Sequence, residues 1–353
     1  MKNLDSTEQK SFKRMLELFQ EIIYRDDRKS STPSLAGLES QNSPSVLIQP
    51  HDFPDHDAIA SAFALFLLLE RFGIKTALFY RGEIRSHSIR TMIEKLHIPI
   101  EEAGDKLPSG MGHLPCIVID GNPVNTNAYP LTDNLFAVVD HHPAKKAPDC
   151  PFLDVRTDYG SCSSIIASYW AEMRLLPEKD AATALLIGIE VDTDFLSRRV
   201  SKADLDAHYR IFFTADWKFA ACILKTSLSQ KDIPSITLAL ANSRIDGILF
   251  FTVITKDTPQ EVLSILADFF IRLREIFVSV IIENEGNTSH ISVRSRDQAI
   301  SAAAIIRSAL KGIGNGGGHD HMAGGVLNTG IKIDEEELFT RFKNAVALEQ
   351  EQQ

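Results

Sequence analysis

The sequence predicts an α/β protein: a mainly parallel sheet with helices on its faces, followed by a smaller α/β domain. Three observations lead there. From residue 45 onward, short apolar runs alternate with segments of helical period. Several of these runs end in acidic or histidine residues. The alternation then restarts near residue 247.

In chain order, residues 8–25 place Phe12, Met15, Leu16, Phe19, Ile22 and Ile23 at helical spacing, predicting an amphipathic helix packed on its own domain or on a partner subunit. Residues 29–45, rich in Ser, Pro and Gly, read as a connector. Strand 45–50, helix 58–72, strand 75–80, helix 86–97, strands 116–120 and 135–139, and helices near 161–175 and 180–191 follow. Residues 199–245 read as helical, with Leu205, Tyr209, Phe212, Phe213, Trp217, Phe219 and Ile223 as core candidates. The second half offers strand 247–255, helix 258–275, a hairpin of strands 277–284 and 289–294, helix 299–310, a loop over 312–325 holding seven glycines, and a last helix over 334–350. The expected domains are an N-terminal helix and linker (1–44), a main domain (45–200), a helical connector (201–245) and a smaller domain (246–345).

Composition narrows the function. At 353 residues and 44% apolar content the chain can build two cores, and its formal net charge of −10 opposes sequence-independent grip on long nucleic acid. Small anionic substrates stay compatible, held by local cations. The four cysteines (Cys116, Cys150, Cys162, Cys222) form no C-x-x-C pair, so reduced thiols in a cytoplasmic protein are expected. The N-terminus lacks a signal-peptide core, and the longest apolar stretch, Ala58 to Leu69, is too short to span a bilayer.

The chemistry concentrates where apolar runs end. Val46-Leu47-Ile48 leads into His51-Asp52-Phe53-Pro54-Asp55-His56-Asp57, Cys116-Ile117-Val118-Ile119 ends at Asp120, and Phe136-Ala137-Val138-Val139 ends at Asp140-His141-His142. A fourth run, Ala184 to Ile189, leads to Asp192-Thr193-Asp194; taken with the others it reads as a buried strand, although helix 180–191 covers the same residues. Ligands of open α/β sheets bind beyond the carboxyl ends of the strands, so these segments would converge. Carboxylates mixed with imidazoles suit Mn²⁺, Mg²⁺ or another borderline divalent ion. Two such ions, bridged by a carboxylate, would activate water for attack on a phosphoester. Any one of these aspartates is more often a helix cap or turn residue. Small hydroxyl residues at Ser161-Cys162-Ser163-Ser164 would cap a helix or hold phosphate, and Arg198 and Arg199 would steer an anion or lie on the surface.

The order H-x-x-P-D-x-D, isolated D, D-H-H and D-T resembles the DHH phosphoesterase family over about residues 45–330. The resemblance implies that His51, Asp55, Asp57, Asp120, His141 and Asp192 are ligands of two divalent metal ions, most readily Mn²⁺ with Mg²⁺ as the other choice. Asp120 and Asp192 would be the bridging candidates. It implies that His142 faces the scissile phosphate and that Asp140 orients a ligand histidine. In the second domain, Gly316-Gly317-Gly318-His319 resembles the G-G-G-H motif of the DHH-associated domain, and Ser292-Val293-Arg294-Ser295 its S-x-R-S strand. Gly316, Gly317, Gly318, His319 and Arg294 would then bind substrate across a cleft between the domains. Arg296 is a weaker second candidate. Two residues depart from the pattern: His56 and Ala60 stand where glycine is usual. His321 stands where a Lys or Asn is often found, and takes no role.

The implied activity is hydrolysis of short oligoribonucleotides or dinucleotides, extending to 3′-phosphoadenosine 5′-phosphate, with short RNA, dinucleotide or nucleotide as partner and no membrane. A homodimer through the N-terminal helix is also expected. The alternatives are a cyclic-dinucleotide phosphodiesterase and a non-catalytic nucleotide-binding regulator; the G-G-G-H loop argues against an inorganic pyrophosphatase.

Overall fold

The computed structural model describes residues 11–27, 44–84, 86–104, 107–226, 228–285, 288–297, 299–328 and 334–351. The chain divides into two compact units, Met1–Thr226 and Ser227–Gln353. The connector expected over 29–45 falls almost wholly outside the described residues.

Unit 1 is built on a six-stranded sheet of β1 (Val46–Pro50), β2 (Thr76–Tyr80), β3 (Ile100–Glu102), β4 (Cys116–Ile119), β5 (Leu135–Asp140) and β6 (Phe152–Val155), in the order β3-β2-β1-β4-β5-β6. All its pairings are parallel. β1 and β4 are buried throughout, as expected of strands covered on both faces. The strand order reverses direction beside β1, creating a switch point between β1 and β4 beyond their carboxyl ends. Strands β3 and β6 are too short and mixed in character to read from sequence.

The helices of unit 1 are α1 (Phe12–Asp27), α2 (His56–Arg71), α3 (His87–Lys95), α4 (Cys162–Glu172), α5 (Lys179–Asp192), α6 (Lys202–Phe212) and α7 (Trp217–Lys225). Helix α1 buries Phe12, Met15 and Phe19 in the unit's own core, with Phe19 against Phe136 and Phe12 against Tyr169. These three residues of the apolar face pack within the chain.

Two expectations need correction here. The run Ala184 to Ile189 is not a strand: it lies inside α5, whose residues Ala181 to Ile189 are all buried. A helix apolar on every side carries no period-3.6 signal to separate it from a buried strand. Among the supposed core residues of 199–245, Tyr209 and Phe213 are 72% and 81% exposed, and Leu205 and Trp217 about half exposed at 49% each, while Ile223 is buried. The stretch 201–245 is also divided, α6 and α7 lying in unit 1 and α8 (Ile233–Ala241) in unit 2.

Unit 2 carries a second six-stranded sheet, ordered β11-β12-β10-β9-β8-β7, from β7 (Arg244–Asp246), β8 (Leu249–Ile254), β9 (Val278–Glu285), β10 (Thr288–Ser295), β11 (Gly314–Gly318) and β12 (Met322–Leu327). Only β8 and β9 pair in parallel. Helices α9 (Gln260–Phe270), α10 (Ala302–Ala309) and α11 (Glu335–Glu351) complete it. The expected loop over 312–325 is a hairpin, β11 against β12 in register Gly316↔Gly325 and Gly317↔Gly324. Glycine suppressed the strand signal, although backbone pairing needs no side chain. The four cysteines are free thiols, and no described helix is long and apolar enough to cross a membrane.

Candidate metal centre

The turn after β1 fixes the first group of ligand-type atoms. His51 Nδ1 lies 2.8 Å from the Asp52 carbonyl oxygen, which only accepts, so Nδ1 carries a proton and Nε2 is the ring nitrogen left for other partners. Nε2 lies 3.7 Å from Asp55 Oδ2 and 3.9 Å from Asp120 Oδ2. Asp55 serves twice: Oδ1 caps α2 by accepting from Ala58 N, and Oδ2 turns to His51. Asp120 ends β4 in the left-handed region (φ 54), held by its N–H to Val139 O. That conformation is uncommon for a residue with a Cβ and marks stored strain. The next residue, Gly121, lets His51 approach: a Cβ there would lie 2.7 Å from His51 Cβ.

A second group lies deeper. Asp57, fully buried in the first turn of α2, accepts from Cys162 N on Oδ2 and Ser163 N on Oδ1, at 2.7 and 2.9 Å. The N-terminus of α4, considered above as a phosphate holder, is thus occupied by a protein carboxylate, while Ser161 Oγ caps the helix by accepting from Ser164 N. Gly188 makes room from the side of α5, since a Cβ there would clash with Ser163 Oγ and lie 2.7 Å from Asp57 Oδ1. His141 directs Nδ1 to Tyr159 O at 3.3 Å, and its Nε2 lies 3.4 Å from Asp120 Oδ1 and 3.3 Å from Asp192 Oδ2. Asp192 is the last residue of α5, where the helix dipole disfavours a carboxylate.

The structure therefore gathers all six candidate ligands into two triads, His51–Asp55–Asp120 and Asp57–His141–Asp192, joined where Asp120 Oδ1 faces His141 Nε2, and a third grouping, Asp120–His141–His142, overlaps both. Asp140 takes a different place from the one expected: its Oδ1 accepts from His142 N and His142 Nδ1, at 3.0 and 2.9 Å, so it orients His142 rather than His141. His142 Nδ1 also lies 3.8 Å from Asp120 Oδ1.

A divalent cation fits these atoms on three counts. The spacings of 3.3–3.9 Å run from the long limit of hydrogen bonds to beyond it. They approach the separation of roughly 3.0–3.4 Å between neighbouring ligands on an ion with bonds near 2.1 Å. Asp120 Oδ1 and His141 Nε2 are buried without a hydrogen-bond partner, a costly arrangement for polar atoms that something else must satisfy. The electrostatics agree. Burial, then the neighbouring Asp192, pushes Asp57 up to about 7; burial, then Asp55, does the same to Asp192, tempered by His142 and Arg198. Burial and the surrounding aspartates raise Asp120 well above the ordinary carboxylate range. Desolvation disfavours charge on both members of the His51–Asp55 pair, yet their mutual attraction outweighs it, raising His51 to about 9 and lowering Asp55. Such a cluster takes up protons unless cations replace them.

In unit 2, Arg294 is committed within the unit: its Nε donates to Asp268 Oδ1 at 2.7 Å and its Nη1 to Ser292 Oγ at 3.1 Å. The glycines divide by face. Gly316 and Gly325 face α10, where a Cβ at either would lie 2.8 Å from Ile306 atoms. Gly317 has nothing within 4 Å of its Cβ position, and its partner Gly324 only Ile291 O at 3.7 Å. Gly318 (φ 148) turns the hairpin, and His319 N donates to Met322 O. The rings of His319 and His321 stack at 5.7 Å. Of the departures, His56 Nε2 lies 2.9 Å from Ser88 Oγ at the start of α3, and Ala60 is buried in the core.

Fold and site together define a class: a doubly wound parallel sheet whose switch point gathers carboxylates and imidazoles at the spacing of divalent-cation ligands, joined to a mixed-sheet unit with a glycine hairpin. Residues 45–189 match the DHH family N-terminal domain and residues 246–348 the DHHA1 domain; the chain belongs to the DHH family. It is 28% identical over 305 residues to an uncharacterised protein of Methanocaldococcus jannaschii, covering 86% of this chain and 62% of that relative. A second uncharacterised protein of the same organism is 28% identical over 170 residues, 47% of this chain and 50% of its own length. The chain thus spans less than two thirds of either relative. Among solved structures, an exopolyphosphatase-related protein from Bacteroides fragilis shares the fold, with a TM-score of 0.67 and 14% identity over 87% of this chain and 93% of that one.

Proposed function

We propose that this protein is a metal-dependent phosphoesterase that hydrolyses short oligoribonucleotides or dinucleotides, with 3′-phosphoadenosine 5′-phosphate as a further substrate. One observation carries the proposal: Asp120, buried and backbone-strained, stands between two triads of ligand-type atoms, one oxygen toward each. His51, Asp55 and Asp120 would hold one divalent ion, and Asp57, His141 and Asp192 a second, with Asp120 shared. Mn²⁺ suits a donor set with this much imidazole. Bound there, a metal pair supplies an activated water and neutralises the oxygens of the phosphoryl group.

The chain's own residues supply the rest. Asp140 accepts from His142 Nδ1 and fixes the ring, so that its other edge can meet a phosphate oxygen as charge develops. Asp57, gripped by the α4 amides, and His141, steadied by Tyr159 O, keep their donor atoms in place. The open face at Gly317 and Gly324 offers backbone that a nucleotide can approach without Cβ interference. A net charge of −10 favours small substrates over long strands.

Product analysis with added Mn²⁺, across pApA-type dinucleotides, short RNAs of increasing length, cyclic dinucleotides and 3′-phosphoadenosine 5′-phosphate, tests the proposal. Mononucleotide release from the short linear substrates supports it. Ring opening alone makes the chain a cyclic-dinucleotide phosphodiesterase, and binding without turnover makes it a regulator.

A further inference from the structure

The segment after Asp192 is the most strained stretch of backbone among the described residues. Asp194, Phe195 and Leu196 have φ of 46, 55 and 59, three consecutive non-glycine residues in the left-handed region, and Arg199 follows at 50. Side chains with a Cβ adopt this conformation only at a steric cost, so a run of three persists only where surrounding structure imposes it.

The imposing contacts are on the page. Buried Thr193 anchors the turn: its hydroxyl donates to Ile189 O and accepts from Leu196 N, and its carbonyl accepts from Ser197 N and Arg198 N. Phe195 N donates to Glu190 O. Gly160 seats the far side, where a Cβ would meet Arg199 O and Thr193 Cγ2, each at 2.8 Å. Asp204 Oδ2 then ties Gly160 N to Ser201 N, at 2.9 and 2.8 Å.

The turn sets Arg198 back over the end of α5, where Nη2 donates to the main-chain oxygen of Asp192 at 3.3 Å. Among the described residues the guanidinium makes no other hydrogen bond and no ion pair, and its Nε is buried with no partner. Arg156, Arg244 and Arg294 each pair with carboxylates, whereas Arg198 keeps most of its five donors unspent, with a buried, partnerless Nε beside Asp192. A fixed planar fork with free donors, beside an aspartate of the cation centre, matches the oxygens of a phosphoryl group.

We infer that Arg198 is a substrate-phosphate contact, its guanidinium binding oxygens of the phosphoryl group seated at the Asp57–His141–Asp192 triad. This rests on the phosphoesterase function proposed above for where that phosphate lies. The strained turn is then the device that aims it, and the exposed Arg199 has no such part.

Binding of adenosine 5′-monophosphate and of adenosine to the full chain with Mn²⁺, by calorimetry, tests the inference without turnover. Arg198→Met should weaken the nucleotide by about 10- to 100-fold, as loss of a charged hydrogen bond does, and leave adenosine and Mn²⁺ binding unchanged. Arg198→Lys, which keeps the charge but not the fork, should fall between, and serves should the Met variant misfold. Unchanged nucleotide affinity in either variant overturns the inference. So does a parallel loss of Mn²⁺, which would make Arg198 a brace for Asp192, and so does a wild-type chain that binds the nucleotide no better than adenosine. Hydrolysis of bis-p-nitrophenyl phosphate, measured alongside, separates the two proposals. Phosphate recognition through Arg198 without turnover counts against the phosphoesterase alone; turnover with undiminished nucleotide binding by Arg198→Met counts against Arg198 alone.

Discussion

In unit 1 the groups that would meet a ligand are side chains standing at the ends of β1, β4, β5 and α5, whereas in unit 2 they are largely backbone, laid bare along β11 and β12. The first arrangement depends on residue identity at scattered positions, brought together because the sheet changes direction at β1. The second depends on the absence of side chains, and only part of that absence concerns a ligand. Gly316 and Gly325 are glycine because α10 packs too close for anything larger, while Gly317 and Gly324 leave an open face. Glycine richness is thus a weaker functional signal than an aspartate placed where helix and strand geometry disfavour it.

Breaking the first region should have the largest effect. Asp120→Ala removes the atom pair shared by both triads, and should lower phosphodiester hydrolysis on the order of 10³-fold, the several kcal/mol that metal-held charge stabilisation is worth. Steady-state rates in saturating Mn²⁺ check this. Asp140→Ala, which frees the His142 ring without touching the triads, should cost about 10–100-fold in kcat with Mn²⁺ stoichiometry intact; an equal loss of bound Mn²⁺ would place His142 among the ligands instead.

The metal-free protein should show the crowding of acids as a pH dependence. Asp57 and Asp192 titrate in the folded chain near 7 against an ordinary 3.8, and His51 near 9 against 6.5, so the folded state binds more protons than the unfolded one. Their contribution to stability is fullest at the acidic end and is lost as pH rises, from about 4 to 7 for the carboxylates and from 6.5 to 9 for His51. Chemical denaturation in chelator across this range should show falling stability, and Mn²⁺ should reverse the trend, because its ligands must be deprotonated. The smallest effect sharpens the second region. Gly316→Ala should destabilise by about 1–3 kcal/mol through its contact with Ile306, and Gly317→Ala should leave folding unchanged while weakening nucleotide binding.

Much of unit 1 was legible because its strands are continuous apolar runs and its ligand-type residues sit at their ends. The pattern from His51 to Asp57, with Asp120 and Asp140-His141, needs no long-range information to be noticed. What stayed hidden depends on contacts between distant segments. The amides of Cys162 and Ser163 reach Asp57 across more than a hundred residues, and Tyr159 supplies only a carbonyl to His141. Gly188, alone inside an apolar helix, was the readable trace of that crowding. Helix α5 passed partly for a strand because burial on every side erased its period, and the exposure of Tyr209 and Phe213 reversed a core assignment made on hydropathy alone. Arg198 could be noticed in the sequence but not distinguished from Arg199, since the left-handed turn that separates them leaves no signature in residue type.

Manganese titration of the purified chain, followed by electron paramagnetic resonance beside Asp120→Ala, tests most directly whether one buried carboxylate joins two cation sites. Two Mn²⁺ per chain with mutual spin coupling, lost in the Asp120→Ala protein, is the predicted result. A single uncoupled ion in the wild type, or a coupled pair that survives Asp120→Ala, would contradict it.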